Sequence, residues 1–156
     1  LGGLGLIPYA NDNVGPLLGD EFEQWFVAQE DNLCGIRLLV NTFLTSPVSS
    51  YRLQVSDESS TMVREARIPG DELIDWHYFT ATFEPIPDSA GKQYFFKVIP
   101  ESLPVAKAIT LPLAAPGMYP QGHVVINGRS ENRNVVFDTL FKPPLYEAFS
   151  SAMKTR

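Results

Sequence analysis

Phe22-Glu23-Gln24-Trp25-Phe26-Val27 and Tyr51-Arg52-Leu53-Gln54-Val55-Ser56 are the stretches whose reading decides the fold class. Both alternate with period two, the spacing of a strand that lays one face on a core. The first sends Phe22, Gln24 and Phe26 to one face and Glu23, Trp25 and Val27 to the other. The same alternation recurs at Cys34–Phe43, Met62–Ile68, Trp76–Phe83, Tyr94–Ile99, His123–Ile126 and Asn134–Phe141. Turn chemistry separates these runs at Glu30-Asp31-Asn32, Asp57-Glu58-Ser59-Ser60, Asp88-Ser89-Ala90-Gly91-Lys92 and Asn127-Gly128. The last is a strong hairpin signal, expected to join His123–Ile126 to Asn134–Phe141. Pro85-Ile86-Pro87 stops a ladder for want of N–H groups. Pro100–Gln121 reads as a long irregular connection with one short strand near Ile109–Leu111.

A single sheet of so many short strands would leave one apolar face in water, so two packed sheets are expected. The fold class is therefore all-β: a two-sheet antiparallel β-sandwich, jelly-roll-like, with a short C-terminal helix. That helix is read from Leu145, Phe149, Ala152 and Met153, which fall at helical spacing after Pro143-Pro144. The expected organisation is an N-terminal arm over 1–19, the sandwich over 20–141 and a helical tail over 142–156.

Composition excludes several other classes. The 156 residues include 13 prolines, too many for a helical bundle. Aromatic residues at 12% beside a net charge of −6 are not the makeup of a disordered chain. The acidic balance, with only 12 scattered Lys and Arg, argues against a nucleic-acid partner. One cysteine forms no internal disulfide, and with two histidines it builds no Cys/His zinc site. The apolar opening Leu1–Ile7 is too short to span a bilayer and lacks the basic start of a signal peptide. It is either a flexible arm or the stub of a membrane helix.

Three segments carry a resemblance. Gln24-Trp25-Phe26 with Asn32-Leu33-Cys34-Gly35-Ile36, then Phe83–Tyr94, then Val125-Ile126-Asn127-Gly128 with Val136-Phe137, together resemble a family of bacterial β-sandwich domains. These are extracytoplasmic parts of membrane-associated envelope proteins linked to polysaccharide handling or glycosyltransferases. Their architecture is similar to jelly-roll or galactose-binding-like carbohydrate-binding modules. Cys34 stands where that pattern has Ser, and Trp25 where it has a small polar residue. The resemblance covers roughly 20–141 and implies a scaffold without a catalytic site.

Two residues are candidates for ligand binding. Trp25 points away from the core face, where an indole can stack on the apolar face of a pyranose or lie against a neighbouring domain. Tyr119 stands in the loop Pro116-Gly117-Met118-Tyr119-Pro120, placed either for stacking or over the core. Trp76 is assigned to packing, and Cys34 to a small buried position. Asp75 and His77 share a strand face, which permits an acid–base pair. A glycosidase would need two facing carboxylates, drawn from Asp71, Asp75, Glu84 and Asp138. No catalytic set or metal site is expected, although Asp20-Glu21, Asp31 and Asp138 supply oxygen ligands for a structural calcium.

The expected function is a non-catalytic, extracytoplasmic envelope module that recognises carbohydrate, with an envelope glycan as partner. The alternative is a structural or protein-interaction domain that positions a membrane-embedded enzyme, its partner being the membrane portion of its own parent protein.

Overall fold

A computed structural model describes residues 4–6, 21–45, 49–102 and 109–143. Their strands are β1 (Phe22–Val27), β2 (Leu33–Val40), β3 (Tyr51–Asp57), β4 (Met62–Ile68), β5 (His77–Ile86), β6 (Gln93–Pro100), β7 (His123–Ile126), β8 (Arg129–Glu131) and β9 (Phe137–Phe141). A single 3-10 turn occupies Gly70–Glu72. The strands form two sheets, six-stranded in the order β4-β3-β6-β1-β7-β8 and three-stranded in the order β5-β2-β9. Every pairing is antiparallel. The chain passes repeatedly from one sheet to the other, so the apolar alternation of each strand is satisfied between them, as a sandwich requires.

The core follows from that alternation. Phe22 and Phe26 of β1, Tyr51, Leu53 and Val55 of β3, and Tyr94, Phe96 and Val98 of β6 line the inner face of the larger sheet. Ile36 and Leu38 of β2 and Phe137 of β9 oppose them. Phe26, Phe96 and Phe137 meet with ring centroids 5.4 to 6.1 Å apart at steep angles, the arrangement that aromatic quadrupoles favour. Each such ring, fully buried, contributes about 1.5–3 kcal/mol.

One polar side chain sits among them. Gln24 is fully buried on the inner face of β1. Its Nε2 donates to Asn134 Oδ1 at 2.8 Å and its Oε1 accepts from Val135 N–H at 2.8 Å. Asn134 Nδ2 in turn donates to the Tyr119 carbonyl at 3.2 Å. A buried polar group is tolerated when it is satisfied in this way, and here it fixes where the chain leaves the larger sheet.

That network explains one departure from the sequence reading. Asn127-Gly128 does form a two-residue turn, but it joins β7 to β8. The run expected as Asn134–Phe141 is strand only from Phe137, and it pairs with β2 in the other sheet. Residues 134 and 135 are held by Gln24 instead of continuing a hairpin. Near Ile109–Leu111 there is an isolated bridge, Asn41 to Thr110, in place of a strand. Trp76 is a turn residue with φ of 57°, and the strand expected from it begins at His77. The expected C-terminal helix, and most of the arm over 1–19, lie outside the described residues. No helix among the described residues is long and apolar enough to cross a membrane.

Candidate functional site

The outward-facing side of the six-stranded sheet carries two parallel rows of side chains, set by the register. In one row, Ser56 of β3 pairs with Phe95 of β6, Phe95 with Trp25 of β1, and Trp25 with His123 of β7. Strands lie about 4.8 Å apart, so the aromatic part of this row spans roughly 10 Å. The Trp25 and Phe95 centroids are 4.6 Å apart, and the planes of Trp25 and His123 are parallel to within 5° at 6.0 Å. Phe95 is buried although it points outward, because Trp25 lies on one side of it and Lys97 on the other. Trp25 itself is half-buried.

The adjacent row is polar. Glu65 pairs with Gln54 and Gln54 with Lys97; Glu23 pairs with Val125 and Val125 with Ser130. Lys97 Nζ lies 3.7 Å from Glu23 Oε2, and the Trp25 indole N–H donates to Glu23 Oε1 at 3.2 Å. Gln54 Nε2 donates to Glu65 Oε2 at 2.9 Å, and Arg52 Nη1 to Glu65 Oε1 at 3.1 Å. The indole is therefore fixed in rotation by a hydrogen bond and in tilt by two ring neighbours. An aromatic strip beside a row of donors and acceptors can take a flat molecule with one apolar face and hydroxyls on its edge.

The two binding candidates prove to occupy different environments. Trp25 stands on the outer face, as the alternation of β1 predicts. Tyr119 is in the core. Its ring meets Phe137 edge-on at 6.1 Å, and its hydroxyl accepts from Val27 N–H at 3.1 Å and donates to Val27 C=O at 3.3 Å. Burial holds its phenol above the usual tyrosine pKa, with the bond to Val27 opposing. Gly122 permits the approach: a Cβ there would lie 2.5 Å from the Tyr119 ring and 2.6 Å from the Trp25 carbonyl. The β1 backbone thus lies between the two aromatics, Trp25 on the outer face and Tyr119 buried in the core. The loop's prolines go with a chain drawn down onto the core.

The candidate carboxylates Asp75, Asp138 and Asp31 are each engaged elsewhere. Asp75 Oδ1 accepts from Thr42 N–H at 2.6 Å, while His77 Nδ1 faces the Asp75 backbone oxygen at 2.8 Å. The acid–base pair that a shared strand face would permit is not formed, because the turn before β5 sends the Asp75 side chain to β2's exit. Asp138 accepts from Leu4 N–H at 3.2 Å and pairs with Arg37 at 3.4 Å, beside a shallow recess of about 190 Å³. Asp31 accepts from Ala90 N–H at 3.0 Å. Among the described residues no three His, Cys, Asp or Glu side chains gather as a metal would need; Asp20 lies outside them. Cys34 is half-buried, its thiol pushed above the ordinary value by burial, with Lys142 opposing.

The residues of the first two resembling segments meet at one end of the sandwich. Ser89 Oγ donates to Glu30 C=O at 2.6 Å and accepts from Leu33 N–H at 3.1 Å, and Gly91 N–H donates to Ala28 C=O at 2.8 Å. They clasp the β1–β2 turn to the β5–β6 turn. In the third segment, Asn127 Oδ1 accepts from Glu21 N–H at 3.1 Å. These positions build the scaffold. No family model matches the chain, and no curated protein matches it.

Phe95 and His123 belong to the site although the sequence did not single them out. Tyr94-Phe95-Phe96 is aromatic at both parities, so only the polar Lys97 marks the parity of Phe95 as outward. His123 joins Trp25 through strand register between residues nearly a hundred apart, which no local pattern carries.

Proposed function

We propose that this chain is a non-catalytic binding module of a bacterial envelope protein, and that the outer face of its six-stranded sheet recognises carbohydrate. The observation that carries the reading is the Trp25 indole, held between buried Phe95 and His123, lying beside the Glu65–Gln54–Lys97–Glu23 row. A pyranose ring lays its C–H face on Trp25 while its hydroxyls reach the polar row. The preset indole loses little freedom on binding, which favours affinity. The envelope setting rests on the resemblance of the three quoted segments.

Calorimetric titration with soluble envelope polysaccharides, or a glycan array, tests this. Trp25→Ala is expected to weaken binding by roughly tenfold or more, equivalent to about 1.4 kcal/mol, and Trp25→Tyr to recover part of it. Undiminished binding by the alanine variant would refute the platform.

A second reading, a module that positions a membrane-embedded enzyme, is favoured by one observation: a cluster of bulky apolar side chains exposed at one end of the sandwich.

A further inference from the structure

Beyond the last rung of the β2–β5 ladder, Val40 with His77, the chain makes two tight turns. The first is Thr42-Phe43-Leu44-Thr45, closed by Thr45 N–H donating to Thr42 C=O at 3.1 Å. The second is Ile74-Asp75-Trp76-His77, closed by His77 N–H donating to Ile74 C=O at 3.0 Å. They are tied together: Thr42 N–H donates to Asp75 Oδ1 at 2.6 Å, and Trp76 N–H to Val40 C=O at 2.8 Å. On them stand four large apolar side chains, Phe43 49%, Leu44 88%, Ile74 59% and Trp76 42% exposed. The assignment of Trp76 to packing is corrected by that exposure.

The backbone makes this display costly. Phe43, Leu44 and Trp76 have φ of 55°, 59° and 57°, a left-handed conformation that bulky residues disfavour and Gly or Asn adopt readily. Neighbouring bonds impose it. Asn41 Oδ1 accepts from Phe43 N–H at 2.8 Å, and Thr45 Oγ1 donates to Thr42 C=O at 2.6 Å. Such over-determined outliers concentrate where function needs them. Here three of the four exposed apolar side chains, Phe43, Leu44 and Trp76, stand on strained positions.

We propose that this end of the sandwich inserts its two turns into the interfacial layer of a lipid bilayer, with Phe43, Leu44, Ile74 and Trp76 as the inserted groups. Three features favour lipid over a protein surface. A standard protein interface engages about 20–30 residues a side, whereas the apolar tip is four residues on two turns. Among the described residues the four side chains stand on two turns beyond the last rung of the β2–β5 ladder, an apolar tip that suits a soft acceptor rather than a shaped one. Their composition, aromatic and aliphatic together, suits the headgroup boundary. The exposed acids Asp71 and Glu72 stand nearby, so the surface is a zwitterionic one and charge does not drive the contact. This inference is independent of the sugar-binding face, which lies on the outer side of the other sheet.

The test is co-sedimentation of the full 156-residue chain with phosphatidylcholine vesicles, together with Trp76 emission in a Trp25→Phe background. The expected result is vesicle binding with a blue shift, insensitive to salt. Phe43→Asn combined with Leu44→Gly should lower partitioning at least tenfold while keeping or raising thermal stability, which separates loss of insertion from loss of fold. The proposal is overturned if wild type ignores the vesicles, or if the double variant partitions equally. It is also overturned if binding needs anionic lipid and fades with salt, or if sedimentation shows the tip driving self-association instead.

Discussion

The turns at Asn127-Gly128 and Phe43-Leu44 share one backbone shape: both central residues have positive φ, 50° and 80° in the first, 55° and 59° in the second. The first is filled as that geometry asks, since Asn and Gly reach the left-handed region at little steric cost. It also performs a structural task, because Asn127 exchanges bonds with Glu21, through Oδ1 at 3.1 Å and its own N–H at 2.7 Å. The second turn is filled against its geometry, by two large apolar residues that face water. Local preference and backbone agree in one turn and conflict in the other. The conflict marks the place where the side chains, not the bend, are what the chain retains.

Exchanging the residues between the turns breaks the comparison most severely on the Asn-Gly side. Asn127→Phe with Gly128→Leu places two bulky residues in left-handed backbone, at about 1–2 kcal/mol each. It also leaves Glu21 N–H without its side-chain acceptor, for a further ~0.5–1.5 kcal/mol. The expected loss is about 3–5 kcal/mol, or a fall in Tm of roughly 10 °C for a domain of this size. Denaturant melts would show it; a loss below about 1 kcal/mol would mean that the two turns do not differ as their φ values imply.

The reverse exchange is expected to stabilise. Phe43→Asn with Leu44→Gly removes the same left-handed penalty, less the entropy that a new Gly adds to the unfolded chain, for a net gain of about 1–2 kcal/mol. Thermal melts should move up by a few degrees. A variant less stable than wild type would show that Phe43 or Leu44 packs usefully, and would undercut the case for a display turn.

How far these features could be read in advance follows from their range in sequence. Alternation in β1 placed Phe22 and Phe26 inside and Trp25 outside, and the two-sheet sandwich followed from many such strands. Asn127-Gly128 announced its turn because the residue types match the geometry. Phe43-Leu44 gave no such notice: it reads as the end of an apolar strand, and the run expected as Cys34–Phe43 in fact stops at Val40. The bonds made by Asn41, Thr45 and Asp75 bend it. One member of the three-residue strip was invisible for a similar reason, since His123 reaches Trp25 through a pairing of β1 with β7. Tyr119, in a proline-rich loop, was open to either role, stacking on a ligand or lying over the core. Its burial depends on Gly122 in the same turn and on the backbone of Val27 in β1, which no local pattern links to it.

The smallest expected effect is a null difference, and it isolates backbone strain from charge. Tyr51, Tyr94 and Tyr119 have phenols held above the ordinary value, chiefly by burial. Because the folded pKa exceeds the unfolded one, the stability they contribute is whole below about pH 10 and falls as pH rises through the folded values. Wild type and both turn variants should therefore weaken together in alkali, as tyrosinate absorbance appears. Neither pair of exchanged residues, Asn127-Gly128 or Phe43-Leu44, contains an ionisable side chain. Their stability differences should hold constant within about 0.5 kcal/mol between pH 7 and alkaline unfolding, the scatter expected of independent sites. A difference that changes with pH would couple one turn to a buried tyrosine, and the contrast between the turns would then no longer be one of backbone conformation alone.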